Sequence, residues 1–259
     1  MLPIKICGCA HYGPSASLIN GVKVVSKISI LYGSILSASL LAPVHSHAQE
    51  SGPEAAFQRA VHIKIALPER SGEVSGTGAW LDGNTVITAS HLFPDDLREN
   101  ERLTIEIVTP LGNLPAKVVT ASHPSELDLA VLAVDPSANA SARRSAAPLK
   151  LCSTPLQPGQ KVSVAAANQS GLAVVIPTHG SFDRSSIYRG VVTSHSVTTY
   201  LAPGTSGASV FDEATGCLAG IVSKQEKHED TTNGVFHQVF TTGLVSAADI
   251  APVIAEIRK

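Results

Sequence analysis

The chain has 259 residues, a formal net charge of −2 and an apolar share of 44%, enough for a substantial core in one large or two small domains. It carries no basic cluster and no aromatic-basic stripe, so the electrostatic footprint of nucleic-acid binding is missing and nucleic acid is excluded as a partner. Aromatics are scarce at 4% while Val, Ala, Ser and Thr abound, which points to a core of many short β-branched strands.

The first feature in chain order is a leader, residues 1–48. After Lys23 and Lys27 comes ISILYGSILSASLLAPV, an apolar run too short and too broken by Gly, Ser and Pro for a transmembrane span. Ser46 and Ala48 are small residues at the two positions a signal peptidase reads, which predicts cleavage after Ala48 and export to the periplasm or the medium, with no stable membrane anchor afterwards. Residues 1–21 fit neither role. They read as an over-extended translation start, with the true start near Val22, Val24 or Val25. Loss of residues 1–48 removes Lys5, Lys23 and Lys27 and no acid, leaving 16 basic against 21 acidic residues. It also removes Cys7 and Cys9. The remaining Cys152 and Cys217 are an even count suited to one disulfide in an oxidising compartment, although the count alone does not pair them.

A polar stretch to about Glu54 precedes a series of strand-like runs: AVHIKIAL, GTGAWL, NTVITAS, RLTIEIVT, AKVVTAS and LAVLAV. Their spacing is that of a sandwich or barrel. Between the second and third, Asp82-Gly83-Asn84 marks a hairpin turn, with Gly83 tolerating positive φ. That hairpin delivers Ser90 and His91 at a strand end. A Ser/Ala/Pro-rich linker, Asp135 to Pro148, interrupts the pattern. A second series follows: KVSVAAA, LAVVIPT, YRGVVTSHSV, ASVF, CLAGIVSK and GVFHQVF. The tail SAADIAPVIAEIRK switches to helical spacing, with Ile250, Val253, Ile254 and Ile257 on one side. No metal-ligand cluster or phosphate-binding loop occurs, so no metal and no cofactor is expected.

Within the second series, PGTSGASVF boxes Ser206 between glycines at the tip of a sharp turn. Serine at neutral pH is a poor nucleophile and needs a base within hydrogen-bond reach, backed by a group that orients the base and supports its charge. Of ten histidines, His91 stands apart because VITASHLF places it directly after a hairpin, behind small Ala89 and Ser90. For the carboxylate, Asp128 lies at the entrance of the apolar strand in SELDLAVLAV, where partial burial demands a partner. Glu126 is the alternative acid, further from the apolar run and expected to face solvent. Turn, capping and structural roles account for each of these residues singly; their joint order, His91, Asp128, Ser206, is what singles them out.

VITASHLF, DLAVL, PGTSGASVF and GIVSKQ resemble the stretches TAAHC, DIALL, GDSGGP and GIVSWG of the trypsin-like, chymotrypsin-fold serine peptidases, and the segment Gly234 to Phe236 is similar to that family's GVY. The resemblance runs from about Ala56 to the closing helix. It implies an all-β fold of two six-stranded antiparallel β-barrels, one over residues 55–140 and one over 149–259, the latter ending in the helix. It implies Ser206 as nucleophile, His91 as general base and then acid, Asp128 as the residue that orients His91, and an oxyanion hole of the Gly204 and Ser206 N–H groups. Cys152 and Cys217 fall where the family has a second-barrel disulfide.

By family position Tyr200 lies near the base of the primary specificity pocket, with Ser223, Lys224, Gln225 and Gly234 along its walls. Lys224 and Gln225 replace the family's Trp and Gly. A tyrosine base argues against Asp-based recognition of Arg or Lys and for a small or uncharged side chain, while the basic wall could attract an acidic one. Thr205 stands where digestive members carry the aspartate that receives a new N-terminus, and no IVGG-like start follows the leader, so no such zymogen switch is expected. Ser209 replaces the family's proline. The resulting expectation is an exported endopeptidase acting on protein or peptide substrates through an acyl-enzyme. The alternative is a protease-fold binding protein with a latent or relic site. An esterase is a third reading, though the Ser-Asp-His order and elbow of α/β-hydrolases are absent. Oligomeric state is not legible.

Overall fold

A computed structural model describes residues 52–67, 72–93, 103–137, 148–181, 187–188, 191–192, 195–232 and 235–259. The leader, most of the linker and Gly234 lie outside the described residues. Twelve of the strands close into two antiparallel barrels of six. The first is built from β1 (Ala60–Leu67), β2 (Gly72–Trp80), β3 (Thr85–Thr88), β4 (Thr104–Thr109), β5 (Gly112–Ala121) and β6 (Ala130–Val134), ordered β1-β2-β3-β6-β5-β4. After it come β7 (Lys161–Ala167), β8 (Ala173–Ser181), a two-stranded pair β9 (Ile187–Tyr188) and β10 (Val191–Val192), β11 (His195–Val197), β12 (Ser209–Asp212), β13 (Leu218–Thr232) and β14 (Val235–Ser246). The second barrel runs β11-β14-β13-β12-β7-β8. The chain is thus the double barrel with closing helix that its motifs imply.

The period of two along each strand divides its residues between two cores. In β1, Val61, Ile63 and Ile65 fill the first barrel, whereas Ala60 faces the layer between the barrels. The same split separates Val86 from Ile87 in β3 and Leu132 from Val131 in β6. In the second barrel Val210 and Val222 point inward, while their neighbours Phe211 and Ile221 join the inter-barrel layer. This double burial explains why LAVLAV reads as a continuous apolar run.

Two helices seal that layer. The closing helix, α2 (Ala247–Ile257), starts at Ser246, whose Oγ accepts the Asp249 N–H at 3.3 Å. Its Ile250 and Ile254 are buried, and Val253 and Ile257 pack against them, the side read from the sequence. The other helix, α1 (Gly52–Arg59), is a correction: sequence reading saw only polar chain to about Glu54. Its eight residues are too few for a periodic signal; Ala56 is buried, and Arg59 fastens its end by donating from Nη1 to the Trp80 carbonyl at 3.2 Å. The run YRGVVTSHSV is likewise not one strand; its described parts belong to β9, β10 and β11. Nor does the Asp82 turn use positive φ at Gly83; Asp82 Oδ1 accepts the Asn84 N–H at 3.0 Å, an Asx turn that closes the hairpin instead.

Cys152 and Cys217 are joined by a disulfide across 65 residues of sequence. The chain beside it is hydrogen-bonded to both barrels, Leu149 N–H to the Leu81 carbonyl and Cys152 N–H to the Leu218 carbonyl. Loop-closure entropy assigns a cross-link of this span about 4 kcal/mol. A Cys152→Ser/Cys217→Ser variant is therefore expected to unfold at lower denaturant with a loss approaching that value; an unchanged midpoint would show that the bridge adds nothing.

Two histidines make stability acid-sensitive. Burial, assisted by the Lys64 charge, pushes His62 below its ordinary value of 6.5, against opposing effects of the Ala167 backbone and Glu73. Burial lowers His195 as well, against the pull of Asp249. The unfolded chain therefore binds more protons than the folded one just below pH 6.5, and the stability these neutral rings contribute is lost as pH falls from there through their folded values. The urea midpoint is expected to drop between pH 7.5 and 5.5, with a shallower slope in His62→Gln.

Candidate active site

His91 sits in a short 3₁₀ turn, Ser90–Leu92, that directly follows β3. Asp128 ends the β5–β6 connection, two residues before β6, and is fully buried. Ser206 lies in the loop before β12, in the second barrel. The fold brings these distant residues into one line. His91 Nδ1 is 2.7 Å from Asp128 Oδ2, and His91 Nε2 is 2.9 Å from Ser206 Oγ. Glu126, the competing acid, is exposed in a turn.

The carboxylate of Asp128 is saturated. Its Oδ1 accepts from Ser90 Oγ at 3.1 Å and from the His91 N–H at 2.8 Å; its Oδ2 accepts from the His91 ring and from Ser223 Oγ at 2.6 Å. Burial by itself would raise its pKa, but the hydrogen bonds and charge of His91, with the bond from Ser223, outweigh it and hold the group below its ordinary value. An ionised carboxylate only accepts, so the Nδ1 of His91 carries the proton and Nε2 offers its lone pair to the serine hydroxyl.

Ser223, expected along the pocket wall, also touches the Asp128 carboxylate. The pairing of β13 with β14 shifts register between Val222 and Lys224, leaving Ser223 as the extra residue. A bulge re-aims its side chain. Ser223 is buried at 2% exposure and turns onto Asp128. Tyr200 is exposed at 55%, with its ring against Phe240 at a centroid distance of 4.9 Å. Lys224 is half-buried and Gln225 exposed, on β13 beyond the bulge.

The serine loop is shaped by two glycines and by the other barrel. Gly204 has φ of 94° and Gly207 has φ of 81°, a region that side chains resist. At Gly204 a Cβ would meet open space, so conformation alone calls for glycine; at Gly207 it would also run into the Thr77 carbonyl and Thr88 Oγ1. Thr205 N–H turns back to the Ala202 carbonyl at 3.3 Å, whereas neither Gly204 nor Ser206 donates its N–H to another described group. Thr77 of β2, which sequence reading did not single out, braces the loop across the barrels. Its N–H donates to the Ser206 carbonyl at 2.8 Å and its Oγ1 to the Gly204 carbonyl at 3.0 Å. No local signal marks such a residue, because its partners lie more than a hundred positions away. Ser209, in the family's proline position, pairs within β12 to strands on both sides, where a proline would leave a ladder bond unmade. Among the described residues, no cluster of His, Cys, Asp or Glu is arranged to hold a metal ion.

Comparison with known proteins agrees with this architecture. The active form of the Rv3671c protease from M. tuberculosis superposes with a TM-score of 0.55 at 20% identity, over 78% of this chain and 81% of that one. Deg5 gives 0.53 at 17%, over 76% and 88%. The serine endoprotease from Yersinia pestis gives 0.52 at 17%, over 78% of this chain and 63% of its own. At these identities the likeness concerns the fold. No curated protein matches the chain. Residues 76–221 match the trypsin-like peptidase domain, a span that includes the second half of β2, all three residues of the His91 line and the start of β13. The chain belongs to the trypsin-like peptidases and is a serine-type hydrolase of peptide bonds.

Proposed function

We propose that this protein is an exported serine endopeptidase in which Ser206, His91 and Asp128 act as the catalytic triad through an acyl-enzyme. The unbroken line from Asp128 Oδ2 through the His91 ring to Ser206 Oγ, at 2.7 and 2.9 Å, carries the reading. His91 Nε2 takes the Ser206 proton as Oγ bonds to the scissile carbonyl carbon, and the resulting oxyanion is received by the N–H groups of Gly204 and Ser206. The imidazolium is supported by Asp128. Collapse of the intermediate breaks the C–N bond, with His91 returning its proton to the leaving amine. Water, deprotonated by the same ring, then releases the acyl group. Each oxyanion donor of this kind contributes roughly 3 kcal/mol to the transition state.

Export is supported by the leader pattern through Ala48 and by the disulfide, which persists in oxidising compartments. The substrate class is protein or peptide, and no cofactor enters the scheme. Fluorophosphonate labelling followed by intact-mass and peptide mapping tests the reading: one adduct on Ser206 of a chain beginning at Gln49 is expected. A folded chain that takes no label would favour the protease-fold binding protein instead.

A further inference from the structure

His62 is buried at 3% exposure, and neither of its ring nitrogens has a hydrogen-bond partner. A buried polar atom without a partner is rare, because it forfeits the bonds that water would give it. An apolar residue would avoid that loss, yet a histidine stands here, next to the residue that braces the serine loop.

Along β1, Val61 and Ile63 fill the first barrel, so His62 faces the other way, toward the second. Its direct partners are Thr77 on β2 and Val108 on β4. Thr77 sends its N–H to the Ser206 carbonyl at 2.8 Å and receives Thr88 Oγ1 on its own carbonyl, so both backbone groups point away from β1. Antiparallel residues paired without backbone bonds have the closest side chains of the sheet, on one shared face. The imidazole therefore lies beside the Thr77 hydroxyl, which donates to the Gly204 carbonyl at 3.0 Å and accepts the Ala167 N–H at 3.5 Å. The β7–β8 turn closes over the same place: a Cβ on Gly171 would come within 2.7 Å of the Thr109 Cα and the Val108 carbonyl.

A proton on this ring would meet no anion of its own. Two residues along β1 stands Lys64, a second cation, paired with Glu73 of β2 at 3.5 Å and opposite Glu106 of β4. On β7 and β8 the titratable groups are Lys161 and His179, paired with each other at the end of the ladder remote from Ala167. The turn 168–172 and the serine loop 201–207 contain none. Burial, helped by Lys64, accordingly holds the ring neutral below its ordinary 6.5, against smaller opposing effects of the Ala167 backbone and Glu73. A charge taken up there reaches water only where β1 and β2 part from β7, and Thr77 lies on that seam. Elsewhere the barrels stay joined, by the Leu149 N–H on the Leu81 carbonyl and by Arg258 of the chain end on Asp82 at 3.5 Å, so the opening is local.

Resting on the triad reading above, we propose that His62 is a positioning residue with an acid-operated release: its neutral ring seats Thr77 against the serine loop, and its protonation frees that loop and stops catalysis in a protein that is still folded.

The test follows kcat/KM for an N-blocked, uncharged peptide p-nitroanilide from pH 7.5 to 4.5 in the wild type, His62→Phe and His62→Gln, with near-UV circular dichroism on the same samples. In the acid range the wild-type value is expected to fall with the square of the proton concentration, about 100-fold per pH unit, one proton going to His91 and one to His62. Both variants should fall about tenfold per unit, His62→Phe keeping a ring of similar bulk with no group to titrate. Where one variant does not fold, the other decides. A first-power fall in the wild type, or a second-power fall retained in the variants, overturns the release while the triad stands. A second-power fall that coincides with loss of the near-UV signal is unfolding and also overturns it. Absence of both turnover and a fluorophosphonate label on Ser206 at pH 7.5 overturns the catalytic reading itself.

Discussion

Replacing Ser206 by alanine is expected to lower kcat by about 10⁶-fold, and His91→Ala by a similar factor, in turnover assays on a peptide or thioester substrate. Ser206 Oγ and His91 Nε2 stand 2.9 Å apart as one proton-transfer unit, so either member is useless without the other. The double variant should therefore be no slower than the worse single one. Losses that multiply would show two independently acting groups and contradict the triad. A residual rate above the uncatalysed reaction is expected in every variant, because the proposed oxyanion donors, the amides of Gly204 and Ser206, are untouched by these substitutions.

The second large effect is expected for Asp128→Asn, a loss of about 10⁴-fold in kcat with substrate affinity little changed. The physical reason lies in the four donors aimed at this carboxylate. An asparagine keeps the shape but has one oxygen and one NH2 where two acceptors stood. Whichever way the amide is placed, its NH2 faces donors. If it faces His91, the ring must accept at Nδ1, which moves the ring proton to Nε2 and turns the base away from its task. If it faces Ser90 and the His91 backbone, two buried donors lose their acceptor. Ring-proton NMR should report a proton on Nε2, and a kcat within tenfold of wild type would refute the role. Because the folded Asp128 carboxyl titrates below its ordinary 3.8, its contribution to stability lies above that value and is lost as pH falls through the folded pKa. That window opens at lower pH than the one set by His62 and His195, so its contribution to acid unfolding should begin later.

Strand periodicity made most of the architecture legible in advance, because alternation along β1 or β12 is a local consequence of facing two apolar layers. The turn before Ser206 was legible for the same kind of reason. Gly204 and Gly207 serve backbone angles that few other residues adopt, so they mark the loop in the sequence itself. The α1 helix was not legible, since eight residues opening on Gly52 and Pro53 are too short for a periodic signal.

The sequence by itself determined the strand content, the closing helix and three chemically suited residues in a suggestive order. Tertiary structure alone decided what surrounds them. Ser223 reaches Asp128, 95 positions away, because a bulge re-aims it. Tyr200 lies exposed with its ring against Phe240 of β14. Thr77 braces a loop of the opposite barrel through contacts made only when closed sheets set the register. Local alternation is encoded residue by residue. Register shifts and cross-barrel hydrogen bonds depend on where the chain returns, which no short stretch of sequence records.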